Sequence, residues 1–498
     1  MPGPLYIAVD LGAGSGRVFL VGFDTGELFL EEIHRFQYPP KQADDHLRWD
    51  FRCIFDQIKL GLRLAGIRAR ELNCPVYSIG IDSWAVDYGL IDAKGELIAD
   101  PVCYRDSRTK GIMESVFAKV PRSTIFEKTG IQFLEFNTLF QLYSEPEQLA
   151  NTEKILLLPD LINFFLTGKA VAEYTNATTT QMVNAGSRDW DADLLTDLCL
   201  PTGPLPEIVS AGTDLGSIKP ELGREAGLLE TRVIAPATHD TGSAVAAVPL
   251  AENWAYVSSG TWSLIGVERS DVLINSDAAR HNFTNEGGAF GTIRFLKNVM
   301  GLWIFESCRR EWTKQGLDVS YEKILEGVID EHEFKAFIFP DDESFLNPPS
   351  MIEAIHKQIK STGQGISESP SAISKIIFDS LAFRYASVLR CIETLTGNKL
   401  VGVHIVGGGG RNEYLNQMAA NASGLTVKAG LVEATVLGNA LVQAVAARRF
   451  ESLTAAREYI KENVGLKEYR PQKSNDLDLA AIRYGEIEEK FIGVKTSA

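Results

Sequence analysis

The sequence predicts an α/β protein built from two domains. Its 498 residues exceed the size at which one hydrophobic core keeps growing, and 45% of them are apolar, which is enough to fill two cores. Near the N-terminus the runs YIAV and VFLVGF flank a glycine-rich stretch, which predicts a strand, a turn and a second strand. WAYVSSGTWSLIGVE repeats this order later in the chain. We therefore expect two copies of one plan, in domains 1–248 and 249–498.

Composition and charge argue against several classes of protein. Lys and Arg number 49 against 65 Asp and Glu, so the net charge of −16 repels polyanions and disfavours a nucleic-acid partner. The N-terminus lacks a signal-like core, and the most apolar stretch, ILLLPDLINFFLTG, is interrupted by Pro159 and Asp160. The six cysteines are scattered without zinc spacing. We expect a cytoplasmic protein with reduced thiols and no membrane segment.

The first glycine-rich turn is a candidate phosphate site. It lies within DLGAGSGR and comprises Ala13, Gly14, Ser15, Gly16 and Arg17. Glycines let the backbone approach a ligand closely, so that successive N–H groups can face one anion, and an arginine adds a charge suited to phosphate. The chain has no GxxxxGK[ST] motif, and GAGSGR does not fit GxGxxG. The alternative is a hairpin turn with a surface arginine.

Two later turns have the same character. Residues 258–261, SSGT, add hydroxyl groups that can donate to phosphate oxygens. Residues 407–410 are four glycines between the strand-like VHIV and a helical pattern, a place where the backbone can pass close to a ring or a phosphate. Each could be an ordinary tight turn. Three such turns in one chain favour a nucleotide.

Asp240 is the candidate proton acceptor. In THDTGSAV it precedes an Ala/Val-rich helix, so it could serve as the helix N-cap. An aspartate at the positive end of a helix could also accept the proton of a substrate hydroxyl during phosphoryl transfer. His239 either contacts the same substrate or has a structural role.

Polar residues near IDSWAVD suggest a sugar site. Asp82, Trp84 and Asp87 lie in a region suited to a buried strand, and Arg105 follows in YRDSRT. Buried charges are costly unless they are paired or bind a ligand. Polar groups beside an aromatic face suit a sugar, and structural pairing between the aspartates and the arginines is the alternative.

These motifs occur in the order typical of one family. The chain resembles the FGGY family of carbohydrate kinases over about residues 6–427. The segments that carry the resemblance are VDLGAGSGRV, SIGIDSWAVDYGLID, YRDSRT, GIQFLEFNTLFQL, LLLPDLINFFLTGK, EYTNATTTQ, THDTGSAV, YVSSGTWSLIG, NFTNEGG, LKNVMGLWIFE and HIVGGGGRNEYLNQMAANASGLTV. The resemblance implies the actin-like ATPase architecture, two ribonuclease-H-like domains with the active site in the cleft between them.

The resemblance also implies roles for individual residues. Residues 13–17 match the first phosphate loop, Thr261 the second, and Asp240 the catalytic base. Asp10 matches the carboxylate that holds Mg²⁺ through water. The expected sugar contacts are Ala85, His239, Thr241 and Asn298, with Asp82, Trp84 and Arg105 as further candidates. The expected nucleotide contacts are Glu306, Gly408 and Gly409.

Two positions depart from the pattern expected for the family. Ala85 stands where a glycine contacts the sugar through its backbone, so the added methyl group could narrow the sugar pocket. Glu306 stands where glutamine is common, and its negative charge could weaken nucleotide binding.

The resemblance implies an ATP- and Mg²⁺-dependent kinase that phosphorylates L-rhamnulose at the C1 hydroxyl in L-rhamnose catabolism. Alternatives are a kinase of L-fuculose, xylulose or glycerol, a sugar-binding protein without turnover, or an actin-like nucleotide switch.

Overall fold

The computed structural model describes residues 3–24, 27–366 and 368–495. The strands are β1 (Leu5–Gly12), β2 (Ser15–Asp24), β3 (Glu27–Gln37), β4 (Lys41–Ala43), β5 (His46–Arg48), β6 (Val76–Ser83), β7 (Tyr88–Ile91), β8 (Lys154–Leu157), β9 (Ala172–Glu173), β10 (Ile208–Val209), β11 (Asp214–Ser217), β12 (Arg232–Ile234), β13 (Trp254–Ser259), β14 (Trp262–Arg269), β15 (Thr284–Gly287), β16 (Ile293–Met300), β17 (Gly402–Val406), β18 (Thr426–Ala429) and β19 (Lys467–Tyr469). The helices are α1 (Phe51–Glu71), α2 (Ile112–Phe117), α3 (Arg122–Thr129), α4 (Thr138–Ser144), α5 (Leu158–Thr167), α6 (Tyr174–Ala177), α7 (Ala192–Asp197), α8 (Pro220–Ala226), α9 (Asp240–Ala247), α10 (Ser276–Arg280), α11 (Trp303–Lys314), α12 (Tyr321–Asp330), α13 (Met351–Ser361), α14 (Pro370–Thr396), α15 (Glu413–Ser423), α16 (Ala434–Ala446), α17 (Leu453–Asn463) and α18 (Asn475–Lys495).

The chain divides into two compact units. Unit 1 comprises Met1–Pro249, Glu268–Leu296 and Glu433–Val464. Unit 2 comprises Leu250–Val267, Lys297–Val432 and Gly465–Ala498. Unit 1 therefore includes two segments that come after the first segment of unit 2 in the sequence. A single domain boundary after residue 248 stays a prediction.

A six-stranded sheet forms the centre of unit 1. Its order is β11-β12-β6-β1-β2-β3, in which β1, β2 and β3 pair antiparallel while β1, β6 and β12 pair parallel. The β1 residues 5–11 are all buried, as expected where both faces of a strand are covered. Apolar side chains of α1, such as Ile54, Ile58 and Leu62, join the core of this sheet. From α16, Gln443 donates to the carbonyl of Ile7 at 3.0 Å.

The second large sheet repeats this plan. Its seven strands have the order β15-β16-β14-β13-β17-β18-β19. The strand β13 pairs antiparallel with β14 and parallel with β17, and β17 pairs parallel with β18. The strands β1, β2 and β6 have the same relation to one another. The predicted duplication is therefore confirmed.

Two further predictions concern the chain as a whole. All six cysteines are free thiols, as expected. Within residues 3–24, 27–366 and 368–495, no helix is long and apolar enough to cross a membrane.

Candidate active site

The first glycine-rich turn joins β1 to β2 in unit 1. Gly14 has φ +135°, a backbone conformation that residues with a side chain rarely adopt. Its N–H donates to the Gly12 carbonyl at 2.7 Å. Gly16 is required for a different reason, since a Cβ there would lie 2.4 Å from the ring of Phe36. The hydroxyl of Tyr38 donates to the Gly12 carbonyl at 2.6 Å. The turn is thus held in place by its own strands before any ligand binds.

Arg17 is bound by two carboxylates of unit 1. One terminal nitrogen pairs with Asp10 on the neighbouring strand, and the other pairs with Glu433, which precedes α16. The Arg17 side chain is 23% exposed. A half-buried guanidinium with planar donors is suited to a phosphate, which would have to share or replace these carboxylate contacts.

Three carboxylates converge on the same end of the unit 1 sheet. Asp10 on β1 and Asp82 on β6 are register partners in the parallel pair. Asp82 is fully buried and accepts from the side chain of Asn439 at 2.6 Å, while its Oδ1 has no hydrogen-bond partner. Burial raises the pKa of Asp82 well above its usual range, and the charges of Asp10 and Asp240 raise it further. Mutually repelling carboxylates of this kind are suited to a cation.

Asp240 is the first residue of α9, and the helix N-cap position belongs to His239. The N-cap role considered for Asp240 is therefore wrong by one residue, a shift within the usual uncertainty of helix ends. Its Oδ1 accepts from the backbone N–H of Thr241 at 2.5 Å. The side chain is 31% exposed. Burial raises the pKa of Asp240 while His239 lowers it, so the carboxylate is accessible and more basic than a typical aspartate.

A buried glutamate positions the backbone before Asp240. Glu173 accepts from the backbone N–H of Thr238 at 2.9 Å and from the hydroxyl of Thr175 at 2.5 Å. The Thr238 carbonyl accepts from the backbone N–H of Ser83 at 2.9 Å, which ties this loop to the end of β6. These buried hydrogen bonds fix the backbone from which His239 and Asp240 project.

The second half of IDSWAVD, residues 84–87, forms a strained turn directly after β6. Val86 has φ +70°, which is unusual for a β-branched residue and costs on the order of 1–3 kcal/mol. Its carbonyl accepts from the Thr138 hydroxyl at 2.7 Å and from the Gln141 amide at 3.3 Å. Ala85, the expected sugar contact, lies half-buried directly before it. The turn therefore holds Ala85 in a fixed backbone geometry.

The aspartates and arginines of this region have several kinds of partner, and structural pairing between them stays an alternative. Asp87 accepts from the indole N–H groups of Trp49 and Trp84 at 2.6 and 2.9 Å. Arg108 pairs with Glu145 at 2.5 Å. The guanidinium of Arg105 lies 4.9 Å from the centroid of the Tyr104 ring. The indole donor of Trp84 is thus used by Asp87, and its buried ring packs against the rings of Tyr38 and Trp49 at centroid distances of 6.0 and 4.6 Å.

Unit 2 carries the other two turns. Thr261 is exposed at the tip between β13 and β14, and its carbonyl accepts from the backbone N–H groups of Gly301 and Trp303 at 3.1 and 3.2 Å. A Cβ at Gly409 would lie 2.0 Å from the Ser259 hydroxyl, whereas nothing lies within 4 Å of one at Gly408. Gly409 is therefore needed for packing. Gly408 has an ordinary φ, and a Cβ there would meet no protein atom. Neither backbone conformation nor packing therefore requires glycine at this position.

Two further residues of unit 2 were singled out from the sequence. Asn298 is half-buried on β16. Glu306 lies in the first turn of α11, and both of its oxygens bind Arg309 at 2.9 Å. The negative charge expected at Glu306 is therefore paired within its own helix.

Family models match both parts of the chain. The model of the FGGY family of carbohydrate kinases, N-terminal domain, matches residues 5–247, and that of the C-terminal domain matches residues 255–447. The chain belongs to the FGGY family of carbohydrate kinases.

Curated relatives of this FGGY kinase share nearly its whole length. It is 42% identical to a rhamnulokinase of Oceanobacillus iheyensis over 467 residues, 93% of this chain and 97% of the relative. It is 41% identical to a rhamnulokinase of Bacteroides thetaiotaomicron over 484 residues, 96% of this chain and 98% of the relative. A rhamnulokinase of Bacillus subtilis is 38% identical over 480 residues, 96% of this chain and 97% of the relative.

Solved structures of sugar kinases share the FGGY fold. A gluconate kinase from Lactobacillus acidophilus superimposes with a TM-score of 0.80 at 16% identity, covering 100% of this chain and 98% of that one. A glycerol kinase with ADP from Plasmodium falciparum gives 0.78 at 15% identity, covering 98% of each chain. At these identities the likeness establishes the fold alone.

Sequence reasoning missed several residues that shape this FGGY site. They are Glu173, Glu286, Arg294, Glu433 and Asn439. Glu286 lies within NFTNEGG and Arg294 interrupts the apolar run of β16, so a charge within a strand pattern was the available signal. For Glu433 and Asn439 the local sequence held no comparable signal, because their partners lie more than 350 residues away.

Proposed function

We propose that this kinase transfers the γ-phosphoryl group of ATP to the C1 hydroxyl of L-rhamnulose in L-rhamnose catabolism, in the cytoplasm. The observation that carries the proposal is identity of 38–42% over nearly the full chain to rhamnulokinases of several bacteria. The half-exposed, basic carboxylate at the start of α9 supplies the chemistry that such a transfer needs.

In the proposed reaction Asp240 accepts the proton of the attacking hydroxyl. The oxygen of that hydroxyl forms a bond to the γ-phosphorus as the bond from this phosphorus to the β,γ-bridging oxygen breaks, and ADP leaves. The transferring group needs little covalent help, so the protein contributes positioning and charge stabilisation. The proposal assigns the phosphates to Arg17 and the backbone of residues 13–16. It assigns the remaining nucleotide contacts to Thr261 and Gly408.

The acidic residues of unit 1 fit a divalent cation bound through water. Asp10 and Asp82 are register partners, and Asp82 keeps a buried oxygen without a hydrogen-bond partner. Among the residues that the structure describes, no group of three ligand side chains could hold a metal by itself. Mg²⁺ usually retains several waters and takes one or two carboxylates together with phosphates, so Asp10 is suited to this role. When bound, the ion would neutralise charge on the phosphates.

A sugar panel tests the proposal. ADP release from MgATP is measured with L-rhamnulose, L-fuculose, L- and D-xylulose, D-ribulose and glycerol, and ³¹P NMR of the product identifies the phosphorylated carbon. We expect the highest kcat/KM with L-rhamnulose and a 1-phosphate product. A higher kcat/KM with another sugar would refute the substrate, and no sugar-dependent ADP would refute the kinase.

The Ala85→Gly variant tests whether the Ala85 methyl group affects sugar binding without affecting the catalytic step. If the Ala85 methyl group narrows the pocket, the variant lowers the KM for bulkier ketoses and changes kcat little. A kinase of a related ketose is the second candidate, and it is favoured by this half-buried methyl group beside the strained Val86.

A further inference from the structure

The His239 ring contacts a buried ion pair, Arg294 with Glu286, on the side opposite Asp240. Its Nδ1 lies 3.0 Å from a terminal nitrogen of Arg294. Arg294, on β16, is fully buried, and its Nε donates to the Gly287 carbonyl at 2.8 Å. The same terminal nitrogen lies 3.1 Å from Glu286. The other ring nitrogen, Nε2, lies 3.5 Å from Asp240 Oδ1.

This arrangement selects one tautomer of His239. A guanidinium stays protonated and has only donors, so Nδ1 must accept from Arg294. A neutral imidazole that accepts at Nδ1 carries its proton on Nε2, the nitrogen on the Asp240 side. The other tautomer would direct an Nδ1 proton towards Glu286 at 3.4 Å, but it would also place that proton against the N–H of Arg294.

We propose that Arg294, oriented by Glu286, is a positioning residue that keeps His239 in the Nε2–H form. His239 then donates a hydrogen bond to a sugar oxygen beside the reacting hydroxyl, and Asp240 alone accepts the proton. Hydrogen-bond donation and proton acceptance therefore belong to different residues, because a protonated Nε2 cannot act as a base. The identity of that sugar rests on the proposed function, whereas the tautomer does not.

The tautomer can be measured directly. The protein is labelled with ¹⁵N in the rings of its 7 histidines, and long-range ¹H–¹⁵N spectra are compared with those of His239→Asn to assign the signals. We expect a pyridine-type shift at Nδ1 of His239 and a pyrrole-type shift at Nε2. A protonated Nδ1 in the wild type, alone or with Nε2, would overturn the inference whatever the substrate.

Variants test whether Arg294 is responsible. Arg294→Met removes the donor but also the arginine that pairs with the buried Glu286 carboxylate, which is destabilising. The double variant Arg294→Met with Glu286→Leu removes both charges and keeps the packing volume, so it should fold. In both we expect a mixture of tautomers and a kcat that falls about 10- to 100-fold, with the KM for ATP within about twofold.

Arg280→Met is the matched control. Arg280 lies on α10 in the same segment of unit 1, with its side chain 64% exposed. It should leave the His239 spectrum and kcat unchanged. A His239 spectrum that stays of the Nε2–H type in the folded double variant would overturn the role of Arg294. Kinetics are measured with whichever sugar supports turnover, so failure of the L-rhamnulose assignment remains separate from failure of this inference.

Discussion

Replacing Asp240 with asparagine tests the chemistry most directly. Asparagine has the same shape and retains an oxygen that can accept from the Thr241 N–H, the bond that spans 2.5 Å in the structure. It cannot accept the proton of the sugar hydroxyl. Loss of a positioned general base lowers kcat by about 10²- to 10⁴-fold, which is about 2.7–5.5 kcal/mol of transition-state stabilisation.

The same substitution should leave the fold intact. An ionised aspartate at the start of a helix stabilises it by about 0.3–1 kcal/mol. Burial and the neighbouring charge of Asp10 oppose this, since both raise the pKa of Asp240 and thus disfavour its ionised form. The two effects offset one another, so we expect the free energy of unfolding at pH 7 to change by no more than about 1 kcal/mol.

The assay is coupled ADP release at saturating sugar and MgATP, with thermal unfolding as the fold check. Asparagine can deamidate back to aspartate, so the mass of each preparation is verified and Asp240→Ala is measured beside it. Asp214→Asn, at a surface aspartate 45% exposed, is the control and should retain full activity. A kcat for Asp240→Asn within threefold of the wild type would refute the role of Asp240.

Four further predictions address packing and charge. Gly409→Ala should destabilise the protein by about 1–3 kcal/mol because the new Cβ would overlap a neighbouring serine side chain. Gly408→Ala meets no protein atom within 4 Å and should leave stability unchanged, yet raise the KM for ATP about tenfold if the backbone there approaches the nucleotide. Glu306→Gln should change the KM for ATP by less than about twofold, because both oxygens already bind an arginine; a fall of tenfold would show that the charge reaches the nucleotide. Burial raises the pKa of Asp87 to about 6 in the folded protein, whereas the unfolded chain has a pKa of about 4. The folded state therefore binds this proton more tightly, which stabilises it fully below about pH 4. This stabilisation is lost as the pH rises through about 6. Asp87→Asn cannot lose this proton. Its free energy of unfolding minus that of the wild type, measured with denaturant, should therefore rise by about 2–3 kcal/mol between pH 4 and pH 7. A difference that does not depend on pH would contradict the raised pKa.

The repeated strands and turns could be predicted because their signals are local. Runs such as YIAV and HIV are short, apolar and bounded by glycine, and β1, β13 and β17 form where these runs lie. The start of α9 was less certain, since the Thr-His-Asp-Thr stretch offers several possible caps, and the structure places the N-cap at His239.

The environment of the candidate site depended on contacts that no local pattern encodes. Asn439 reaches Asp82 across 357 positions of sequence, and Arg294 reaches His239 across 55. The explanation for the glycines also required coordinates. Gly14 and Gly16 look equivalent in DLGAGSGR, yet one is needed for its φ and the other for the space beside Phe36.

The helix α16 lies late in the sequence but packs against the first sheet, and this has a consequence for biosynthesis. A ribosome releases the chain from its N-terminus, and the strands of unit 1 emerge well before the segment Glu433–Val464 that completes that unit. At ordinary elongation rates of about 5–20 residues per second, Asn439 and Gln443 are synthesised on the order of 20–90 s after β1 and β6. During that interval the part of the sheet that α16 covers stays exposed. The core of unit 1 is therefore complete only when translation nears its end.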